Sequence, residues 1–267
     1  MPDDIDKEST YDMSGNYTEE KKYIMESEVP CYDVDSNMDL KPAAFMDMAQ
    51  EIAYQAATAF GFGYDALQTE GKAWVLSRMH FDFMRHPKWR EAVKLSTWHK
   101  GPYGPFYLRD FTLESTEGEM LVLGTSSWVI IDVANRTMCR TAEVMEMVPE
   151  DTVCHDNAIE RPADKVVMPR GVTPEPAGVH KVEFSDVDLL GHTNNARYVV
   201  WAMDCIDFEE LKNKVVKSLT VNFIHETRPG EEVVLEKVRT ETENGDITYV
   251  IEGKTGDKAC FIVKINL

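Results

Sequence analysis

Asp188, His192 and Glu226 are the residues whose types and spacing could carry hydrolytic chemistry in this chain. A carboxylate can orient or deprotonate water, or attack directly, and an imidazole, whose ordinary titration lies near neutrality, can pass a proton to a leaving group. His192 follows Asp188 by four residues in Phe184-Ser185-Asp186-Val187-Asp188-Leu189-Leu190-Gly191-His192. Asn194 and Asn195 come next, at what reads as a helix start. Free backbone N–H groups and the positive end of the helix dipole would suit an oxyanion there. Singly, the aspartate reads as a turn residue, the histidine as a surface group and the glutamate as a solvated strand edge. Their occurrence together in one of two repeated units favours a site.

The repeat is visible on both sides of a boundary. Tyr32-Asp33-Val34-Asp35-Ser36-Asn37-Met38-Asp39 precedes one predicted helix and the Phe184–His192 loop precedes another, with matching aspartate spacing. The first helix, about Pro42 to Phe60, aligns Phe45, Met48, Ala49, Ile52, Ala53, Ala56 and Phe60 on one stripe and stops at Gly61. The second, about Asn195 to Asp207, repeats the stripe with Ala196, Val199, Val200, Met203 and Ile206. After each helix the apolar period falls to two, giving strands near Trp74–Phe83, Ala92–Trp98, Phe106–Leu113 and Leu121–Ile131, then Val215–His225, Glu232–Arg239, Thr248–Glu252 and Cys260–Ile265. Turn signals at Glu117-Gly118 and Asn244-Gly245 make the sheets antiparallel. The fold class is α+β: a tandem hot-dog arrangement, each sheet covered by one long helix, the two sheets joined edge to edge into one.

Within this repeat, His192 stands where the first copy has Asp39. Aligning the strand ends through Pro87 and Pro229 puts Glu226 opposite Met84. The polar set has thus accumulated in the second copy. The domain reading is residues 1–20 as a loose acidic tail, 21–148 as a first unit, 149–178 as a linker with five prolines, and 179–267 as the unit carrying the chemistry.

Composition narrows the class further. The 267 residues are 43% hydrophobic, ample for one large core or two small ones. No stretch reaches the roughly 20 apolar residues of a membrane helix, and the opening MPDDIDKESTYD lacks a secretory pattern, so a cytoplasmic setting is expected. Five scattered cysteines read as reduced thiols without metal or redox spacing. A net charge of −19 opposes nucleic acid and anionic lipid, which argues against nucleic-acid and membrane partners. No glycine-rich phosphate loop, metal-ligand cluster or G-x-S-x-G elbow occurs, so no cofactor and no metal is implied.

The chain resembles the acyl-acyl-carrier-protein (acyl-ACP) thioesterases from about Tyr23 to Leu267. The matching text is GKAWVLSRMHFDFMRHPKWREAVKLSTW, YLRDF, GTSSWVIID and SDVDLLGHTNNARYVVWAMD. Family members read D-x-N-x-H-x-N-N-x-x-Y-x-x-W at the helix entry, matched here by Asp188, His192, Asn194, Asn195, Tyr198 and Trp201. Leu190 departs at the asparagine, and Thr227 stands where a cysteine follows the glutamate, which disfavours a cysteine nucleophile. The resemblance implies hydrolysis of fatty acyl-ACP in fatty acid biosynthesis. Asp188, His192 and Glu226 would be catalytic, Asn194 and Asn195 would bind the oxyanion, and the first unit would hold the acyl tail with Phe45, Met48, Ile52 and Trp74 as walls. The partner would be an acyl carrier protein. Its acidity requires a local basic patch, for which Arg85, Lys88 and Arg90 form the densest run. An acyl-coenzyme A thioesterase, a dehydratase of the same fold and a non-catalytic acyl-binding protein are the competing readings, and a homodimer is left open.

Overall fold

The computed structural model describes residues 17–267. Residues 1–16 of the expected tail lie outside the described residues, and the rest of it is not loose. Tyr17 packs at a tilt on Phe60 with ring centroids 3.8 Å apart and meets Tyr23 edge-on at 5.1 Å.

In chain order the strands are β1 (Tyr23–Glu28), β2 (Lys72–Phe83), β3 (Ala92–Tyr103), β4 (Phe106–Ser115), β5 (Met120–Asp132), β6 (Thr137–Met138), β7 (Glu175–Lys181), β8 (Ser218–Phe223), β9 (Glu232–Glu241), β10 (Ile247–Thr255) and β11 (Lys258–Asn266). The helices are α1 (Pro42–Ala59), α2 (Tyr64–Thr69), α3 (Thr141–Val144), α4 (Asn195–Asp204) and α5 (Phe208–Asn213). All strands belong to one sheet, ordered β1-β3-β4-β5-β2-β8-β11-β10-β9-β7, with β6 on β5. This order is the same five-strand unit written twice, the second time reversed. The halves meet where β2 pairs antiparallel with β8, Met79 opposite Val221 and Phe81 opposite Leu219. An edge that would otherwise be open is thereby closed.

The sequence makes α1 a covering helix by placing Phe45, Ala49, Ile52 and Ala56 on one face, all buried. Full burial of Phe45 or Ile52 contributes roughly 1.5–3 kcal/mol each. Pro42 opens the helix at its first position, where a missing N–H costs no bond. The second covering helix, α4, ends three residues before the expected Asp207 because Asp207 caps α5, accepting from the amides of Glu209 and Glu210. Both helices pack into a single core with the inward residues of both half-sheets, among them Phe81, Phe111, Phe261 and Ile265.

The proline-rich crossing runs over the opposite face of the sheet. There the indole of Trp98 donates to Asp156 O (2.8 Å), and Asp110 Oδ2 accepts from Ala158 N (2.8 Å) and from Lys100 Nζ (3.0 Å). Val166 packs with Val250 and Ile262. Within the expected linker, β7 already begins at Glu175. Neither β7 nor the other edge strand, β1, shows clearly in the sequence pattern.

Candidate active site

The loop before α4 is built by Asp188. Its Oδ1 accepts from Leu190 N (2.9 Å) and His192 N (3.3 Å), while Asp188 N donates to His192 O (2.8 Å). Gly191 takes the left-handed φ of 76° that the turn demands. The first copy repeats the construction: Asp35 Oδ1 accepts from Asn37 N (2.8 Å) and Asp39 N (3.0 Å), and Met38 takes φ 64°. That conformation costs a non-glycine residue about 1–2 kcal/mol. Asp188 therefore shapes the turn, as its equivalent does in a copy without the histidine.

The turn delivers His192 to Glu226. His192 Nε2 lies 3.5 Å from Glu226 Oε2, a charge contact longer than a made hydrogen bond. The other oxygen of Glu226 accepts from Arg228 Nη2 (2.8 Å) and from Arg136, which reaches over from the first half. Partial burial alone would raise the Glu226 carboxyl, but the bonds from Arg228 and Arg136 and the charge of His192 outweigh it, so the group is held below the usual glutamate range. A carboxylate so held is a poor base and a poor nucleophile, and a good anchor for an imidazole.

Structure corrects the sequence alignment of this strand end. Leu40 N donates to Pro87 O as Thr193 N donates to Thr227 O, and Lys88 N donates to Glu91 Oε2 as Arg228 N donates to Glu231 Oε2. The first-copy equivalent of Glu226 is consequently His86, not Met84. The error came from matching prolines that sit two residues apart in the two turns. The acid and imidazole positions are exchanged between copies: Asp39 and His86 in one, His192 and Glu226 in the other.

A buried hydroxyl network fixes the pair. Thr227 Oγ1 meets Thr193 Oγ1 at 2.7 Å and Tyr198 Oη at 3.0 Å, and Tyr198 Oη accepts from Thr227 N (3.0 Å). Replacing Thr227 by valine leaves Tyr198 and Thr193 short of a partner. A loss of about 1–3 kcal/mol in stability is expected, together with lower turnover, while Thr227→Ser keeps both; thermal unfolding and rate measurements on the two variants check this.

The remaining expected residues fall out differently. Asn194 caps α4, its Oδ1 accepting from Ala196 N (2.8 Å), and Asn195 Nδ2 donates to Gln50 Oε1 on α1 (2.8 Å). Asn195 is committed to α1 by that bond, whereas the Oδ1 cap leaves Asn194 Nδ2 without an acceptor among the described residues. The backbone N–H of Asn195, however, has no acceptor among the described residues. Of the expected acyl walls, Phe45 and Ile52 are shut in the core and Met48 packs against it; none of the three lines the cavity beside α1. Trp74 does. With Ala53 and Ala57 of α1, Phe62 and Trp128 it bounds a cavity of about 190 Å³ that Leu190 of the other half also lines. Its wall includes buried His99 and Arg109, which the sequence pattern hid among strand residues. Burial, helped by the charge of Arg109, pushes the His99 imidazole down to about 3, and burial lowers Arg109 to about 10. That part of the cavity is polar, carrying a neutral imidazole and a guanidinium without a carboxylate partner among the described residues.

The basic run is neutralised from within. Arg85 is bound by Glu91 (2.7 Å) and Glu119 (2.8 Å), and Lys88 by Asp39 (2.7 Å); Arg90 lies over the Trp89 ring at 4.1 Å and has no acid partner among the described residues. Exposed arginines stand instead beside Glu226, as Arg136 and Arg228.

Known proteins share both sequence and shape with this chain. The acyl-ACP thioesterase N-terminal domain matches residues 20–148 and the C-terminal domain of the same family matches residues 177–265. Oleoyl-acyl carrier protein thioesterase 2, chloroplastic, of Arabidopsis thaliana is 24% identical over 91% of this chain and 68% of its own length. Among solved structures, an acyl-ACP thioesterase from Bacteroides thetaiotaomicron superposes with a TM-score of 0.76 at 20% identity, covering 92% of this chain and 97% of that one. A 12:0-ACP thioesterase from Umbellularia californica gives 0.78 at 19% identity, covering 92% and 96%. The fold is the tandem hot-dog.

Proposed function

Because the chain belongs to the acyl-ACP thioesterase family, and is by that membership a thioester hydrolase, we propose that it frees fatty acid from acyl carrier protein by direct attack of water under the control of His192. The observation that carries this is the His192–Glu226 pair, whose histidine shares a loop with Leu190, which lines the 190 Å³ cavity. Glu226 faces Nε2 and favours the tautomer with its proton there, which leaves Nδ1 to take a proton from water as its oxygen attacks the thioester carbon. The carbonyl oxygen gains the charge, received by the Asn195 backbone N–H at the start of α4. Collapse of the tetrahedral intermediate breaks the C–S bond, and the proton held by His192 passes to the departing thiolate. The products are a fatty acid and the carrier thiol. Asp188 is a positioning residue here, and the acyl tail lies along Trp74, Ala53 and Ala57 in the first half.

The carrier would approach over Arg136 and Arg228, two exposed guanidiniums that share the single carboxylate of Glu226, whereas Arg85 alone is held by two. No helix among the described residues is long and apolar enough to cross a membrane, and five free cysteines suit the reducing cytoplasm. A second reading, acyl binding without turnover, rests on Leu190, whose side chain cannot polarise a carbonyl. Thiol release from dodecanoyl-ACP and dodecanoyl-coenzyme A separates these readings. Release from the carrier thioester, with kcat/KM about tenfold or more above that for coenzyme A, is expected if carrier contacts add even one charge-assisted bond. Tight binding without release, or a preference for coenzyme A, overturns the proposal.

A further inference from the structure

The internal two-fold relation of the halves gives the catalytic corner a counterpart, and the counterpart has kept a cavity. It measures about 440 Å³ and is lined by Asn37, Asp39 and His86 of the first copy. These three occupy the positions of Leu190, His192 and Glu226. Met203 of α4 with Phe208 and Leu211 of α5 supply apolar wall here, as α1 and α2 wall the acyl cavity.

Chemistry is absent from this corner for a visible reason. Both ring nitrogens of His86 face backbone carbonyls, Nδ1 that of Leu40 at 2.9 Å and Nε2 that of Val216 at 2.8 Å, so the imidazole is engaged in tying the two halves together. Asp39 is held by Lys88. Neither counterpart of the His192–Glu226 pair is free to act as a base, yet the space remains.

We propose that this cavity is a second binding site, taking a fatty carboxylate, the product class of the reaction at His192; that choice of ligand rests on the thioesterase reading. The apolar wall accepts the chain, and Lys41, Lys212 and Lys214 on the lining accept the charged end. Lys214 is in no ion pair among the described residues, and Lys212 has only a loose contact with Glu209 at 3.9 Å. Of the acids present, Asp35 is engaged by the loop amides and Asp39 by Lys88; Asp204 alone is unpaired. Positive charge therefore dominates what is left to meet a ligand. In the acyl cavity the reacting group lies at the edge; here the carboxylate would stay as it is.

Titration calorimetry of the full chain with dodecanoate tests the assignment, with thiol release from dodecanoyl-ACP measured on the same preparations. The wild type is expected to show a binding event whose Kd rises about tenfold or more in Lys212→Glu/Lys214→Glu, where charge is reversed, and in Leu211→Trp, where the space is filled, with turnover unchanged in both. The charge variant lies on the surface and keeps the test open should the tryptophan disturb folding. Identical stoichiometry and affinity in wild type and variants would sink the second site. Loss of binding in the variants of a protein that releases no thiol would leave the site standing and remove the hydrolase reading.

Discussion

His192→Ala is expected to lower thiol release from acyl-ACP by about 10²–10⁴-fold while acyl binding persists, because it removes the imidazole that faces Glu226 two residues beyond cavity-lining Leu190. Glu226→Gln should cost less, about 10–100-fold, if its part is to hold Nε2–H and stabilise the imidazolium rather than to attack. The order of the two effects is the informative quantity. A nucleophilic Glu226 would make the glutamine variant as dead as the alanine one and would leave a covalent acyl-enzyme in the wild type, visible by mass spectrometry. Its arginine contacts argue against that, since two guanidiniums that hold the carboxyl below the usual range also withdraw its electron density. With the folded-state value depressed, Glu226 stays ionised at a pH where an ordinary glutamate begins to protonate. Activity lost on mild acidification is therefore not expected to come from this group.

Much of this arrangement was legible in the sequence because it rests on local rules. The paired Asp-x-x-x-Asp and Asp-x-x-x-His loops, the 3.6-period stripes after them and the two-period strands gave the repeat, both covering helices and eight strands close to their observed bounds. His192 and Glu226 were read as the polar excess of one copy, a reading that for Glu226 rested on the offset alignment, since His86 holds its place in the other. What escaped depends on contacts far apart in sequence. The basic run looked free because Glu119 and Asp39, which neutralise it together with nearby Glu91, lie on other elements. Phe45 and Ile52 looked like acyl walls because an amphipathic stripe does not say which of its residues border a void; the void opens at Ala53 and Ala57, where side chains are small. Arg109 sits in a strand with buried residues on both faces, so no alternation marked it. The equivalence of Glu226 with His86 needed the hydrogen bonds of both strand ends, since the prolines used as landmarks are offset.

The doubled loop also separates a positioning role from a reacting one for Asp188, by comparison within one molecule. Asp188→Ala and Asp35→Ala each remove a carboxylate that accepts two amide bonds in the same turn geometry. Each should cost about 0.5–2 kcal/mol, the range for losing a side chain that caps backbone amides. Their effects on turnover should differ widely. In the first copy the loop carries Asp39, bound to Lys88, and thiol release should stay within about twofold of wild type. In the second copy the same loosening displaces His192 from Glu226, and a misplacement on the order of 1 Å is enough to cost about 10²-fold. Asp188→Asn keeps an oxygen for the Leu190 amide and should recover most of that loss, with an unaltered pH profile. If the asparagine variant is instead as inactive as His192→Ala while unfolding at the wild-type temperature, Asp188 takes part in the proton transfer itself. The matched pair works because the protein contains its own control: one turn sequence folded twice, with the imidazole at the end of only one of them.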